Sequence, residues 1–179
     1  MKRIGFFVMM VVFGLNVFGQ SPINQGTISL GGQIAFSSES SEYADDNLNT
    51  LSIMPQGYYF ILNQFAIGGQ FLYLRMSSGD NVTTNIGVGP TVRYYLPFEE
   101  VHPFINASYA VAKSTFSDSD FEYKGTQWTL GGGMDVFISK NVALEPYLSY
   151  SWLTDDYSDN DTTDRNTFEI GVGIGAFIF

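Results

Sequence analysis

Val142-Ala143-Leu144-Glu145-Pro146-Tyr147-Leu148-Ser149-Tyr150-Ser151-Trp152 alternates without a slip. One side carries Val142, Leu144, Pro146, Leu148, Tyr150 and Trp152; the other carries Ala143, Glu145, Tyr147, Ser149 and Ser151. Successive side chains point to opposite faces only in a strand, so a period of two predicts a strand with one apolar and one polar face. The stretch 84–96 repeats the pattern, with Ile86, Val88, Pro90, Val92, Tyr94 and Leu96 against Asn85, Gly87, Gly89, Thr91, Arg93 and Tyr95. No segment after residue 20 supports the 3.6-residue period of a helix.

Eight such runs can be drawn, at 26–36, 51–62, 65–76, 83–96, 102–114, 125–138, 142–153 and 167–179. Most are 11 to 14 residues long. Strands of soluble proteins average about 5–6 residues, whereas a tilted strand crossing a bilayer needs about 9–11. The connections alternate as well. Those at 63–64, 97–101 and 139–141 are short; those at 37–50, 77–82, 115–124 and 154–166 are longer. Short turns at one end and longer loops at the other predict an all-β, eight-stranded antiparallel up-and-down transmembrane β-barrel, with both chain ends on the short-turn side.

Composition agrees. The 179 residues are 45% hydrophobic, 16% aromatic and only 15% charged, without cysteine. Disulfide scaffolds and thiolate chemistry are thereby excluded. The formal charge of −10 argues against a nucleic-acid binder, which needs a basic face. Thirteen of the 18 acidic residues fall in the four longer connections: Glu39, Glu42, Asp45, Asp46, Asp80, Asp118, Asp120, Glu122, Asp155, Asp156, Asp159, Asp161 and Asp164. Charge is thus kept off the faces that would meet lipid. Tyr73, Trp128, Trp152 and Phe168 lie near the long-loop ends of their runs, and Tyr59, Phe65 and Tyr94 near the short-turn ends, as two interfacial aromatic girdles would.

The first residues carry an address. Lys2 and Arg3 precede an apolar run from Ile4 to Phe18, followed by a compact Val17-Phe18-Gly19. This predicts a secretory signal peptide over 1–19 and an outer-membrane β-barrel domain over 20–179. The run is shorter than the roughly 20 residues of a spanning helix. Cleavage would take the charge from −10 to −12 by removing the two basic residues.

Gly89-Pro90-Thr91-Val92-Arg93-Tyr94-Tyr95, Leu144-Glu145-Pro146-Tyr147-Leu148-Ser149-Tyr150, Pro55 followed by Tyr58-Tyr59-Phe60, and the terminal Phe179 resemble, as an ordered set, the small eight-stranded outer-membrane barrels of the OmpA/OmpX kind and outer membrane protein beta-barrel domain sequences generally. The resemblance implies export to the bacterial outer membrane, contact with its lipids, and insertion by the outer-membrane assembly machinery, with Phe179 as the assembly signal. It implies no catalytic residue and no cofactor.

Two features sit awkwardly with an ideal barrel. Pro55, Pro90 and Pro146 lie inside runs, where each removes a ladder hydrogen bond, so a bulge or weak pairing is expected at each. In the last run Phe168, Ile170, Val172 and Ile174 share one face, while Phe177 and Phe179 share the glycine face. Either the phase switches near Ala176 or Phe179 does not face lipid.

The phase assigns polar residues and many glycines to the lumen. Arg93 with Asp135, Glu145 and Glu169 would form a buried ion-pair cluster there. Eight strands leave only enough room for side chains, so the cluster is read as a structural plug, with a gate inside a conduit as the alternative. Catalysis lacks a nameable nucleophile–base pair: His102, the single histidine, follows a short turn. The acidic run 155–164 lacks the ligand spacing of a calcium loop, so no metal is expected. The expected role is non-enzymatic, structural or surface-interacting through acidic extracellular loops, with the extracellular partner unknown. The alternatives are a narrow porin-like conduit for small or hydrophobic solutes, and a soluble periplasmic lipocalin-like ligand-binding barrel with its apolar phase turned inward.

Overall fold

The computed structural model describes residues 23–39, 48–79, 81–98, 101–117, 119–158 and 161–179. The predicted signal peptide, 1–19, lies outside the described residues. Eight strands follow one another: β1 (Ile28–Glu39), β2 (Leu48–Leu62), β3 (Phe65–Ser78), β4 (Asn81–Tyr95), β5 (His102–Phe116), β6 (Ser119–Phe137), β7 (Val142–Ser158) and β8 (Asp161–Ile178). Each pairs antiparallel with its neighbours in sequence, and β8 returns to β1 to close a barrel. The predicted fold class is the one observed.

The registers fix its shape. Stepping from Ile28 across the ladders passes Tyr59, Ile67, Val92, Ala107, Leu130 and Tyr150 and arrives at Phe168. Continuing the β1–β8 register places Phe168 opposite Ser38, ten residues beyond the start. With about 3.3 Å per residue and about 4.8 Å between strands, that stagger tilts the strands by roughly 40°.

The strands run further outward than the hydrophobic pattern predicts. The expected connections 115–124 and 154–166 are largely paired strand: Asp156 faces Thr162 and Ser158 faces Asp161. Two strands that have left the bilayer still satisfy each other's backbone groups, so pairing continues after the apolar signal ends. Consequently Glu39, Asp120, Glu122, Asp155, Asp156, Asp161 and Asp164 stand on strands rather than in loops. Glu42, Asp45, Asp46, Asp80, Asp118 and Asp159 lie outside the described residues.

Each interior proline interrupts one ladder and leaves the register intact. Pro55 faces Gly32 on β1, while the β2–β3 ladder skips from Ile53↔Tyr73 to Gln56↔Gln70. Pro90 faces Gly69 on β3, and the β4–β5 ladder skips from Val88↔Val111 to Thr91↔Ser108. Pro146 faces Val172 on β8, and the β6–β7 ladder skips from Gly133↔Tyr147 to Val136↔Leu144. Weak pairing, and not a bulge, is therefore the outcome at all three: a proline lacks the N–H that one neighbour would receive. Glycines let backbones close around these lapses. A Cβ on Gly89 would overlap Tyr109 O and lie 2.7 Å from Ala110 Cα, whereas one on Gly69 would meet only Gly89 O at 3.9 Å. Gly89→Ala should therefore destabilise the barrel by about 1–3 kcal/mol, the usual cost of overpacking. Gly69→Ala should leave the urea midpoint in detergent micelles unchanged.

The aliphatic phase faces outward. Ile86, Val88, Leu130, Leu144, Leu148 and Ile170 are exposed, while Thr91, Arg93, Ser108, Asp135 and Glu145 are buried within the cylinder. The lipocalin-like alternative needed Val92, Leu148 and Trp152 inside, and all three are outside. The phase of β8 holds to its end. Gly173, Gly175 and Phe177 point inward and are buried, Ile178 points outward, and Phe179 is exposed beyond the strand.

Candidate functional site

The lumen is the only region where chemistry-bearing side chains converge among the described residues, and it is built from the short-turn end upward. Phe60 precedes the 63–64 turn and Ala66 follows it. Tyr95 and Phe104 flank the next short connection, Phe137 and Ala143 the third, and Phe177 lies one residue before the end of β8. All are inward-phase positions at one height, so they pack together with Tyr58 and Ile23 as a floor. Phe60 and Tyr95 stack at 5.7 Å, Tyr95 meets Phe104 edge-on at 5.6 Å, and Phe137 lies 5.1 Å from Phe177. The N-terminal segment seals the underside, with Gln64 N donating to Ile23 O and Gly26 N donating to Phe60 O, and Tyr95 N ties β4 to the same turn by donating to Gln64 O. These contacts also hold Gln64 at φ 69°, a left-handed conformation disfavoured for a side chain with a Cβ.

Directly above the floor lies Arg93, 4% exposed. Its Nη1 donates to Glu145 Oε2 and to Tyr95 Oη, each at 3.2 Å, and its Nη2 reaches Gln56 Oε1 at 3.5 Å. Tyr95 Oη in turn donates to Asp135 Oδ2 at 2.8 Å. The guanidinium is also sandwiched by rings, with Cζ 4.0 Å from the Phe104 centroid and 4.4 Å from that of Tyr58. Weak hydration of a guanidinium and its attraction to ring faces suit it to such a place better than an ammonium. Gly175 makes the cluster possible, since a Cβ there would collide with the Glu145 carboxylate. Arg93 Nε and Asp135 Oδ1 are buried without a hydrogen-bond partner among the described residues.

Of the four predicted cluster members, the structure brings Arg93 and Glu145 into direct contact and joins Asp135 through Tyr95. Glu169 stands apart. It accepts a hydrogen bond from Tyr147 Oη, because it faces Ser149, four positions above Glu145 on β7. The residues missed by the sequence reading are Tyr95, Tyr58, Phe60, Phe104 and Phe177. Tyr95 was within reach, since it shares the inward phase of Arg93 two positions away. Further up, Gln127, Thr129 and Ser151 form a linked trio, and Ser114 donates to Asn85. These upper positions are mostly half-buried, so the lumen opens toward the long hairpins.

The predicted girdle residues take their outward positions. Tyr59, Tyr94, Trp128, Trp152 and Phe168 are exposed, and Phe65 and Tyr73 are half-buried. His102 stands at the start of β5, 5.4 Å from the Phe137 ring. No group of three or more potential metal ligands occurs among the described residues.

A closed antiparallel cylinder of eight tilted strands, aliphatic outside and polar within, defines a transmembrane β-barrel of the bacterial outer membrane. The chain belongs to the outer membrane protein beta-barrel domain family, which it matches over residues 6–175. It is similar in structure to Neisserial surface protein A (NspA), at 15% identity and a TM-score of 0.60, covering 85% of this chain and 99% of that one. It is likewise similar to the N-terminal β-barrel domain of Pseudomonas aeruginosa OprF, at 15% identity and a TM-score of 0.51, covering 86% of this chain and 98% of that domain. At such identities the likeness concerns the fold. No curated protein matches the sequence.

Proposed function

We propose that this protein is a non-enzymatic, non-conducting outer-membrane barrel that presents its extended hairpins and an outward-facing polar cup at the cell surface. The observation that carries this reading is the floor. Phe60, Tyr95, Phe104 and Phe177 are each at most 3% exposed, with the Arg93–Glu145 pair directly above them. An ion crossing here would have to displace packed rings and break a buried ion pair, which argues against the conduit alternative. Acidic residues concentrate in the sequence of the extended hairpins, and Asp164 on β8 is exposed, which favours a basic extracellular partner. Outer-membrane lipids contact the aliphatic wall, and exposed Arg75, Lys113 and Lys124, just beyond Tyr73 and Trp128, meet outer-leaflet phosphates. The exposed Phe179 remains open to the assembly machinery. The one histidine, packed on Phe137 at the short-turn end, offers no base to the outer leaflet.

Planar-bilayer recording tests this. The expected trace shows no steady single-channel current for the intact barrel. A steady conductance that changes in Arg93→Ala would establish the conduit instead.

A further inference from the structure

The wall has one incomplete seam. The β1–β8 ladder runs from Ile28↔Ile178 to Gly32↔Ile174, and among the described residues no pair of these strands lies beyond it. The ladder on the other side of β8 continues outward to Ser158↔Asp161, and that on the other side of β1 to Glu39↔Leu48. The ladder stops at Gly31-Gly32. There a Cβ on Gly31 would lie 2.5 Å from Ile174 O on β8, whereas one on Gly32 would meet β2, 2.9 Å from Pro55 Cα. One position further out Gly173 still lies against β1, where a Cβ on it would meet Gly32 O at 3.1 Å and Gln33 Cγ at 3.3 Å; beyond that the two strands form no ladder pair among the described residues. Ala35 has the inward phase yet is exposed, and the outward residues flanking the gap are unusually bare: Ile34 at 75% and Ile170 at 73%.

The gap lies at membrane depth. A tilt of roughly 40° gives about 2.5 Å of height per residue, so an apolar band of about 25 Å takes about ten residues. Ten residues separate Ile178 at the inner boundary from Phe168 in the outer girdle. The unpaired part of β8 above Ile174 therefore occupies the outer half of the band. Unpaired backbone facing hydrocarbon costs several kcal/mol per group and survives only where it lines a polar cavity. Here the cavity is the lumen, reached between Ala35 on β1 and Glu169 on β8. Its described charges are Glu145, Asp135 and Glu169 against Arg93, an excess of negative charge.

We propose that this seam is a side entrance for a single-chain cationic amphiphile, whose head enters the acidic lumen beside Glu169 while its tail stays in the outer leaflet between Ile34, Phe36, Ile170 and Val172. The apolar lips suit the tail, the carboxylate suits the head, and the head with its water supplies partners to the unpaired backbone. The route is lateral and leaves the aromatic floor shut, so it does not depend on conductance across the barrel.

The test uses the full chain in dimyristoylphosphatidylcholine nanodiscs and a dodecyl quaternary ammonium carrying a nitroxide on its head. Paramagnetic broadening of the amide resonances of Gln33, Ser149 and Glu169 should exceed that of Val88 and Val111 on the far wall. A tail-less cationic nitroxide should broaden the luminal resonances less than one tenth as much. The chain has no cysteine, so Ile34→Cys with Val172→Cys places an unambiguous outward-facing pair across the gap. Oxidation should abolish luminal broadening and reduction should restore it. If the thiols stay too far apart to join, Ala35→Trp, which fills the gap, should abolish the broadening. Glu169→Gln should weaken it several-fold. Equal broadening at Val88 and Val111, equal effects of the tail-less probe, or broadening that persists in the cross-linked or Ala35→Trp protein would overturn the proposal.

Discussion

Arg93→Ala is expected to destabilise the barrel by about 3–5 kcal/mol, the cost of leaving a buried carboxylate without its partner. Glu145 would lose the one counter-charge it contacts among the described residues, and Tyr95, which also receives from Arg93 Nη1, would lose part of what orients it toward Asp135. Two ring faces would lose the guanidinium as well. Urea unfolding in detergent micelles, followed by tryptophan fluorescence and by the gel-mobility shift between folded and unfolded barrel, reads the loss. The double variant Arg93→Met with Glu145→Met should recover most of it, because replacing both charges removes the unpaired ion and keeps the volume. With Arg93→Met and Glu145→Met as the single variants of the cycle, the interaction energy should lie at the upper end of the range of about 0.5–3 kcal/mol found for residues in contact. Additive single effects would mean that the two groups do not stabilise each other across the lumen.

Leu148→Arg should cost about 2–4 kcal/mol, as a basic group at mid-depth on a lipid-facing wall does. Leu148 is exposed and lies midway between Leu144 and the girdle residue Trp152 on β7. Ile138→Arg, just past β6 at the short turn, should cost only about 0–1 kcal/mol, since the charge reaches the interface there. Both are read by the same urea titration in lipid vesicles. Equal, negligible costs at the two sites would mean that this wall does not face hydrocarbon.

The alternation of 84–96 and 142–152 made the architecture legible, because lipid outside and packed side chains inside impose opposite demands on successive residues. The inner members Arg93, Asp135 and Glu145 were legible for the same reason. Glu169 was misplaced into their cluster because phase reports which face a residue takes and not its height. The floor was missed because Phe60, Phe104 and Phe177 are aromatic residues on the polar phase, and polarity alone marked that phase. The outer ends of β5 to β8 carry no strand signal in the sequence because strand pairing in water needs no apolar face, so the hydrophobic signal stops before the strand does.

What the sequence by itself determined is local and repetitive: strand identity, strand number, inside against outside, and the order of short and long connections. Each follows from the chain meeting water or hydrocarbon one residue at a time. Only the tertiary structure decided that Tyr95 links Arg93 to Asp135, that rings close the short-turn end, and that the β1–β8 ladder ends at Gly32. Those facts depend on the ten-residue stagger between strands distant in sequence, and stagger is set by how the closed cylinder packs around its own interior.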